Sequence, residues 1–157
     1  MKHSFLVSAL LMLMIGGRTS SCDKKDNTIN PNTIDKNNHM VTNKIKVQVG
    51  SKTFIATLSD NSSAKAFMNM LPMTINLAEL NGNEKYFDLS KSLPTNSANP
   101  GTIQNGDLML YGSRTLVLFY KSFSTSYSYT RIGRIDHILG FAEALGAREV
   151  GVAFELN

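Results

Sequence analysis

Residues 106–136 read GDLMLYGSRTLVLFYKSFSTSYSYTRIGRID and hold four of the five tyrosines and three of the five arginines of the chain. Asp107 to Tyr111 and Thr115 to Lys121 carry the apolar and aromatic residues of two strands, and Gly112-Ser113 supplies the turn between them. A tyrosine-rich approach leads to a third strand around Arg131 to Ile135. If residues 123–131 run extended, Phe123, Thr125, Tyr127, Tyr129 and Arg131 share one face, because successive side chains alternate across a strand. Tyrosine offers a wide ring with a hydrogen-bonding tip, and arginine a planar fork that stacks or donates. Such a face suits an apolar or peptide ligand. It equally suits a cover over the end of a barrel, with Arg131 paired to an acid.

Upstream of this run the pattern is again period two. Ile45, Val47 and Val49 alternate with Lys44, Lys46 and Gln48, Gly50-Ser51 turns the chain, and Phe54, Ala56 and Leu58 alternate on the return. Asp60 or Ser62 is placed to cap a short helix with Ala64, Phe67, Met68 and Leu71 on one face, ended by Pro72. Met73 to Leu80 and Glu84 to Leu89 flank Asn81-Gly82-Asn83, and Asn-Gly accepts the positive φ of a primed hairpin turn. Residues 90–104 form a long loop with Pro94 and Pro100 that crosses an end of the sheet. After Ile135, Asp136 is placed to cap a second helix with Ile138, Phe141, Ala142 and Leu145 on one face, stopped by Gly146. Arg148 to Leu156 closes the domain as an alternating strand. About eight short strands and two short helices predict an all-β domain closed as a barrel or stacked as a sandwich, the helices suiting barrel ends.

With 157 residues, the chain accommodates one domain with a proper core. Lys2 and His3 precede Phe5 to Ile15, which is apolar apart from Ser8. That stretch is too short for a bilayer span of about 20 residues and suits the apolar region of a secretory signal. Cys22 is the single cysteine, so no intrachain disulfide exists. Thr19-Ser20-Ser21 before Cys22 resembles a bacterial lipobox, with Thr19 where leucine is usual and Arg18 near the cleavage point. The resemblance implies a signal peptide over 1–21 and lipidation of Cys22; cleavage nearby with an unmodified cysteine is the alternative. Residues 23–43, with six asparagines and little apolar pattern, read as a disordered tether, so that 22–43 links the lipid to a domain over 44–157. The expected location is the bacterial cell envelope, anchored to a membrane with the domain outside the cytoplasm.

Without Lys2 and Arg18 the chain keeps 14 basic and 12 acidic residues. A balance near +2 without a basic stripe argues against nucleic acid as a partner. His3, His39 and His137 fall in three separate regions, and no His or Cys pair has metal-ligand spacing, so no metal site is expected. Gly101, Gly106 and Gly112 are spaced as turns, not as a phosphate loop, and no serine sits in a nucleophile elbow. No cofactor is expected.

Residues 106–146, GDLMLYGSRTLVLFYKSFSTSYSYTRIGRIDHILGFAEALG, resemble the small bacterial cyclophilin-like proteins in the order of a Gly-Asp strand, an L-x-L-F-Y strand, a variable loop, an I-G-x-I segment and a Gly-containing helix. The hairpin LNGNEKYFDL and the opening strand IKVQVG are similar too, so the resemblance runs from Lys44 to Leu156. It implies a closed eight-stranded barrel with a short helix near each end. Cyclophilins are peptidyl-prolyl isomerases whose catalytic arginine lies in a segment that here reads NEKYFDLSKSLP, without arginine or Gln-Gly-Gly and with Lys85 as the nearest cation. The same resemblance puts Tyr129 near their pocket histidine and Phe119 near their pocket phenylalanine, within one residue of register. The expected site is therefore Phe119, Tyr127, Tyr129 and Arg131, holding a peptide or small apolar ligand without catalysis. A divergent peptidyl-prolyl isomerase using Arg131 or Arg114 is the alternative.

Overall fold

The computed structural model describes residues 42–157; the expectations about the signal segment, Cys22 and most of the tether lie outside those residues. The chain order is β1 (Lys44–Val49), β2 (Lys52–Leu58), α1 (Ser62–Met68), β3 (Met73–Leu80), β4 (Glu84–Asp88), β5 (Thr102–Ile103), β6 (Asp107–Tyr111), β7 (Thr115–Phe119), β8 (Phe123–Ser124), β9 (Thr130–Ile135), α2 (Phe141–Leu145) and β10 (Val150–Leu156). Eight of these strands close an antiparallel barrel in the order β1, β10, β3, β4, β7, β6, β9, β2. The all-β barrel with two short helices stands as expected, while β5 and β8 form an additional two-stranded ribbon outside it.

Alternation builds the interior. Ile45, Val47 and Val49 of β1 are buried while Lys44, Lys46 and Gln48 are exposed, and Leu108, Leu110, Leu116 and Leu118 line the inside of β6 and β7. α1 follows the end of β2, and Phe67 meets Phe154 edge to face with centroids 5.6 Å apart. α2 precedes the start of β10 at the opposite end, where Phe141 meets Phe54 at 5.0 Å. Fully burying one such ring contributes roughly 1.5–3 kcal/mol, so these two contacts are a large part of what fixes the helices over the barrel ends.

The caps differ from the expected ones. Asn61 caps α1, its side-chain oxygen accepting from the Ala64 N–H at 2.8 Å, while Asp60 pairs with Lys65 instead. Asp136 does not cap α2, which starts after the left-handed Gly140; its carboxylate accepts from Lys44 Nζ and Thr57 Oγ1, each at 2.6 Å. The Asn81-Gly82 turn has φ of 56° and 67°, the positive pair that a primed hairpin requires.

In β9 the register against β6 slips between Leu108 and Met109, which face Gly133 and Arg131, so Ile132 is an extra residue. This bulge breaks strict alternation and leaves Arg131 and Arg134, three apart, both outside the barrel. Among the described residues no helix is long and apolar enough to cross a membrane.

Candidate functional site

On β4 the register assigns each side chain to a face. Lys85 pairs with Leu118 and points into the barrel, whereas Glu84 pairs with Phe119 and lies outside with Tyr86 and Asp88. Lys85 is wholly buried; its Nζ donates to Glu79 Oε2 at 2.6 Å and to the Arg148 carbonyl at 2.5 Å. The Tyr120 hydroxyl donates to both oxygens of Glu79, at 2.9 and 3.0 Å. Burial, then the hydrogen bond to Glu79 and the charges of Glu79 and Glu84, push the Tyr120 phenol up to about 12. This network fills the α2 end of the barrel, so Lys85 is unavailable to a ligand on the outer wall.

That outer wall carries a groove of about 350 Å³ lined by Leu80 at the end of β3 and Asn81 of the turn after it, by Glu84, Tyr86 and Asp88, by Tyr111, Thr115 and Val117, and by Tyr127 and Tyr129. Its aromatic rings form a continuous series. Tyr111 meets Tyr127 edge on at 6.1 Å and Tyr129 at 5.7 Å, and Tyr129 stands edge on to Phe119 at 5.5 Å. Leu80, Tyr111 and Tyr127, three of the six exposed large apolar residues among those described, converge here, while Ile138, Leu139 and Leu156 lie elsewhere.

Burial first, and then the charge of Glu79, hold the carboxyl of Glu84 above its ordinary value. Glu84 is 92% buried as a residue, makes no side-chain hydrogen bond or ion pair among the described residues, and lines the groove. Burial, then the Glu84 charge, also raises the Tyr129 phenol, which stays a neutral donor.

The expected site residues divide. Tyr127 and Tyr129 line the groove, Tyr127 being the more exposed. Phe119 is wholly buried beneath Tyr129, covered by Ile103 and Phe123 of the β5–β8 ribbon. Arg131 lies beyond Tyr129 in a smaller recess of about 150 Å³ with Asn96, Ala98, Pro100 and Met109. There its Nη1 donates to Asp107 Oδ1 at 3.2 Å, and Arg134 Nε reaches the same oxygen at 2.7 Å. Residues 90–104 thus cover one flank of Tyr129, with Ala98 and Tyr129 exchanging two backbone hydrogen bonds of 3.0 Å, and leave the other flank open. Arg114 is tied to the Leu89 carbonyl at 2.9 Å.

Residues 123–131 are not one strand, since β8 ends at Ser124 and pairing resumes only at Tyr129. Sequence reasoning missed Tyr86, Tyr111 and Glu84 as wall residues; period-two counting along β4 and β6 is the signal that would have found them. Among the described residues no group of three or more His, Cys, Asp or Glu side chains is placed to hold a metal ion.

The model of the cyclophilin-like family matches residues 47–155. No curated protein matches the chain. The solution structure of the hypothetical protein AF2241 from Archaeoglobus fulgidus is similar, with a TM-score of 0.50 and 17% identity, over 74% of this chain and 96% of that one. At that identity the likeness bears on fold alone. A family match spanning nearly the whole barrel, from β1 to the end of β10, joins the closed eight-stranded architecture in one conclusion: the chain belongs to the cyclophilin-like family.

Proposed function

We propose that this protein is a binding domain without isomerase activity, holding a peptide or small ligand in the open groove walled by Tyr111, Tyr127 and Tyr129, and tethered to the membrane of a bacterial cell envelope by a lipid on Cys22. The observation that carries the binding reading is the groove itself: exposed tyrosine faces over a rigid buried floor of Phe119, Val117 and Met109. A buried, packed floor loses little freedom when a ligand settles, which is what a binding surface needs. Phe119 acts in this reading as support beneath Tyr129, and Arg131 as a flank of the neighbouring recess.

The rival reading, a divergent peptidyl-prolyl isomerase, needs a cation facing the groove. Lys85 faces the interior, Arg114 holds a carbonyl and Arg131 is engaged by Asp107, which weighs against it. The deciding experiment is prolyl isomerisation of proline tetrapeptides by the purified protein. A rate equal to the uncatalysed control across several residues preceding proline is expected; acceleration lost in Arg131→Ala would overturn the binding-only reading. Membrane fractionation of Cys22→Ala tests the anchor, with the protein expected to move from the pellet to the soluble fraction; an unmoved protein would refute lipidation.

A further inference from the structure

We propose that the occupant of the tyrosine groove carries a cationic head, an ammonium group seated between the faces of Tyr111, Tyr127 and Tyr129 and opposite the carboxylate of Glu84. The assignment rests on the groove being a binding site and names the chemistry of what it takes.

Glu84 is the reason. Glu84 as a residue is 92% buried, and an acid so far withdrawn into the wall of a groove is ordinarily paired or hydrogen-bonded, because burying a charge without compensation is costly. Glu84 has neither kind of partner among the described residues, and the cation next to it in sequence points to the other side of the sheet, toward Glu79. Among the described residues no arginine lines the groove, and neither does any lysine. Among the described residues the position therefore lacks a positive charge, which an incoming cationic group would supply.

The walls favour the same group. Tyrosine faces attract cations through the ring quadrupole, most strongly where water is excluded, and several rings around one centre form the usual receptor for an alkylated ammonium. Here Tyr111 stands 6.1 Å from Tyr127 and 5.7 Å from Tyr129, with planes inclined by 89° and 53°. Rings inclined in this way bound a corner. Asp88 lines the same groove, but its Oδ1 already accepts from Thr115 Oγ1 at 2.6 Å, so Glu84 is the unengaged acid. Burial and the charge of Glu79, which hold the Glu84 carboxyl above its ordinary value, would both be offset by a cation at this point.

The test uses the full chain and matched probes: choline against its uncharged isostere 3,3-dimethylbutan-1-ol, and a lysine tetrapeptide against the same peptide with norleucine. Aromatic NMR shifts of Tyr111, Tyr127 and Tyr129 report the site. Each charged probe that fits is expected to bind at least about tenfold more tightly than its neutral partner, the margin expected of desolvated ring contacts with a cation. Glu84→Gln should reduce that ratio to within about twofold, and Tyr127→Ala, which removes an exposed wall, should weaken the charged probe several-fold without altering the fold. Preference for choline points to a free small ammonium compound, and preference for the lysine peptide to a peptide side chain. Equal binding of charged and neutral probes overturns the cationic assignment and leaves the groove as a binding site. A charge preference unchanged in Glu84→Gln also overturns it. If no probe moves the three tyrosines, both the assignment and the groove reading fail.

Discussion

Lys85 Nζ lies 2.6 Å from Glu79 Oε2, with the lysine wholly inside the barrel and the carboxylate held by Tyr120 as well. β3 and β4 set these residues directly opposite each other, so the pair forms as the hairpin closes. A buried pair of this kind adds little over an apolar core, but removal of one partner leaves an uncompensated charge and typically costs about 3–5 kcal/mol. Because the Glu79 side chain is 24% exposed, Glu79→Gln should cost less, about 2–3 kcal/mol. Chemical denaturation checks this. A loss below 0.5 kcal/mol, the scale of a surface substitution, would mean that Lys85 finds another acceptor. The double variant Lys85→Met with Glu79→Leu should recover much of the loss.

Glu79 and Glu84 flank one turn and should give opposite pH dependence. For Glu79, burial alone raises the carboxyl, but the hydrogen bonds from Lys85, Tyr120 and Gly82 and the charge of Lys85 outweigh it and hold the group below its ordinary 4.5. Its stabilising contribution is present above pH 4.5 and lost as pH falls through its folded value. For Glu84 the folded carboxyl lies above 4.5, so its contribution is present below that pH and lost as pH rises through its folded value. Glu84→Gln should therefore stabilise the protein at neutral pH, by about 1 kcal/mol or less, with the gain vanishing by pH 4.5. Glu79→Gln should be most damaging at neutral pH and nearly silent in strong acid. Thermal unfolding of both variants over this range checks the signs, and parallel pH profiles would contradict the assignment of the two environments.

Gly133 sits where β9 presses on β2. A methyl group there would meet the Thr57 carbonyl oxygen at 2.6 Å and Leu58 Cα at 3.1 Å, both backbone atoms that cannot step aside. Gly133→Ala should cost about 3 kcal/mol through overpacking. Gly151, in β10, offers the control, since its nearest neighbour would be Asn76 Oδ1 at 3.4 Å and its φ is outside the left-handed region. Gly151→Ala should be neutral or stabilise by about 0.4–1 kcal/mol through the unfolded chain. Equal losses in the two variants would show that strand propensity, and not the β2 contact, decides.

Gly133 also shows what the chain discloses about itself. The glycine of I-G-x-I is visible in the sequence and helps to identify the barrel, yet its reason is a backbone contact with Thr57 that no local pattern contains. Alternation in β1, β2 and β10 and the Asn81-Gly82 turn are local properties, so they were legible. The bulge at Ile132 was not, because one inserted residue leaves no trace in residue type while it moves Arg131 and Arg134 to the same side and delivers both to Asp107. Nor was the β5–β8 ribbon, two residues on each strand, whose pairing depends on residues twenty or more apart. The site was half legible for the same reason: Tyr127 and Tyr129 lie two residues apart within 123–131, whereas Glu84 and Tyr86, and Tyr111 sixteen residues before Tyr127, join them only through the pairing of β4, β7 and β6.

Phe119 and Tyr127 separate foundation from surface in that site. Phe119 has no exposure and touches Phe123 and Tyr129 at centroid distances of 5.7 and 5.5 Å, so Phe119→Ala removes the floor and leaves a cavity. The expected loss of stability is about 3–5 kcal/mol. Tyr127 is 61% exposed and its ring meets only Tyr111 edge on, so Tyr127→Ala should change stability by no more than about 0.5 kcal/mol. Binding should order the two differently once stability is accounted for. With the protein fully folded, below its melting range, Tyr127→Ala loses a ligand-facing wall, whereas the conservative Phe119→Leu keeps the floor filled and should retain affinity within about threefold. Denaturation curves and groove titrations of the same three variants check this. A Phe119→Leu protein that folds but cannot bind would mean that Phe119 reaches the ligand itself, through an opening of the β5–β8 ribbon.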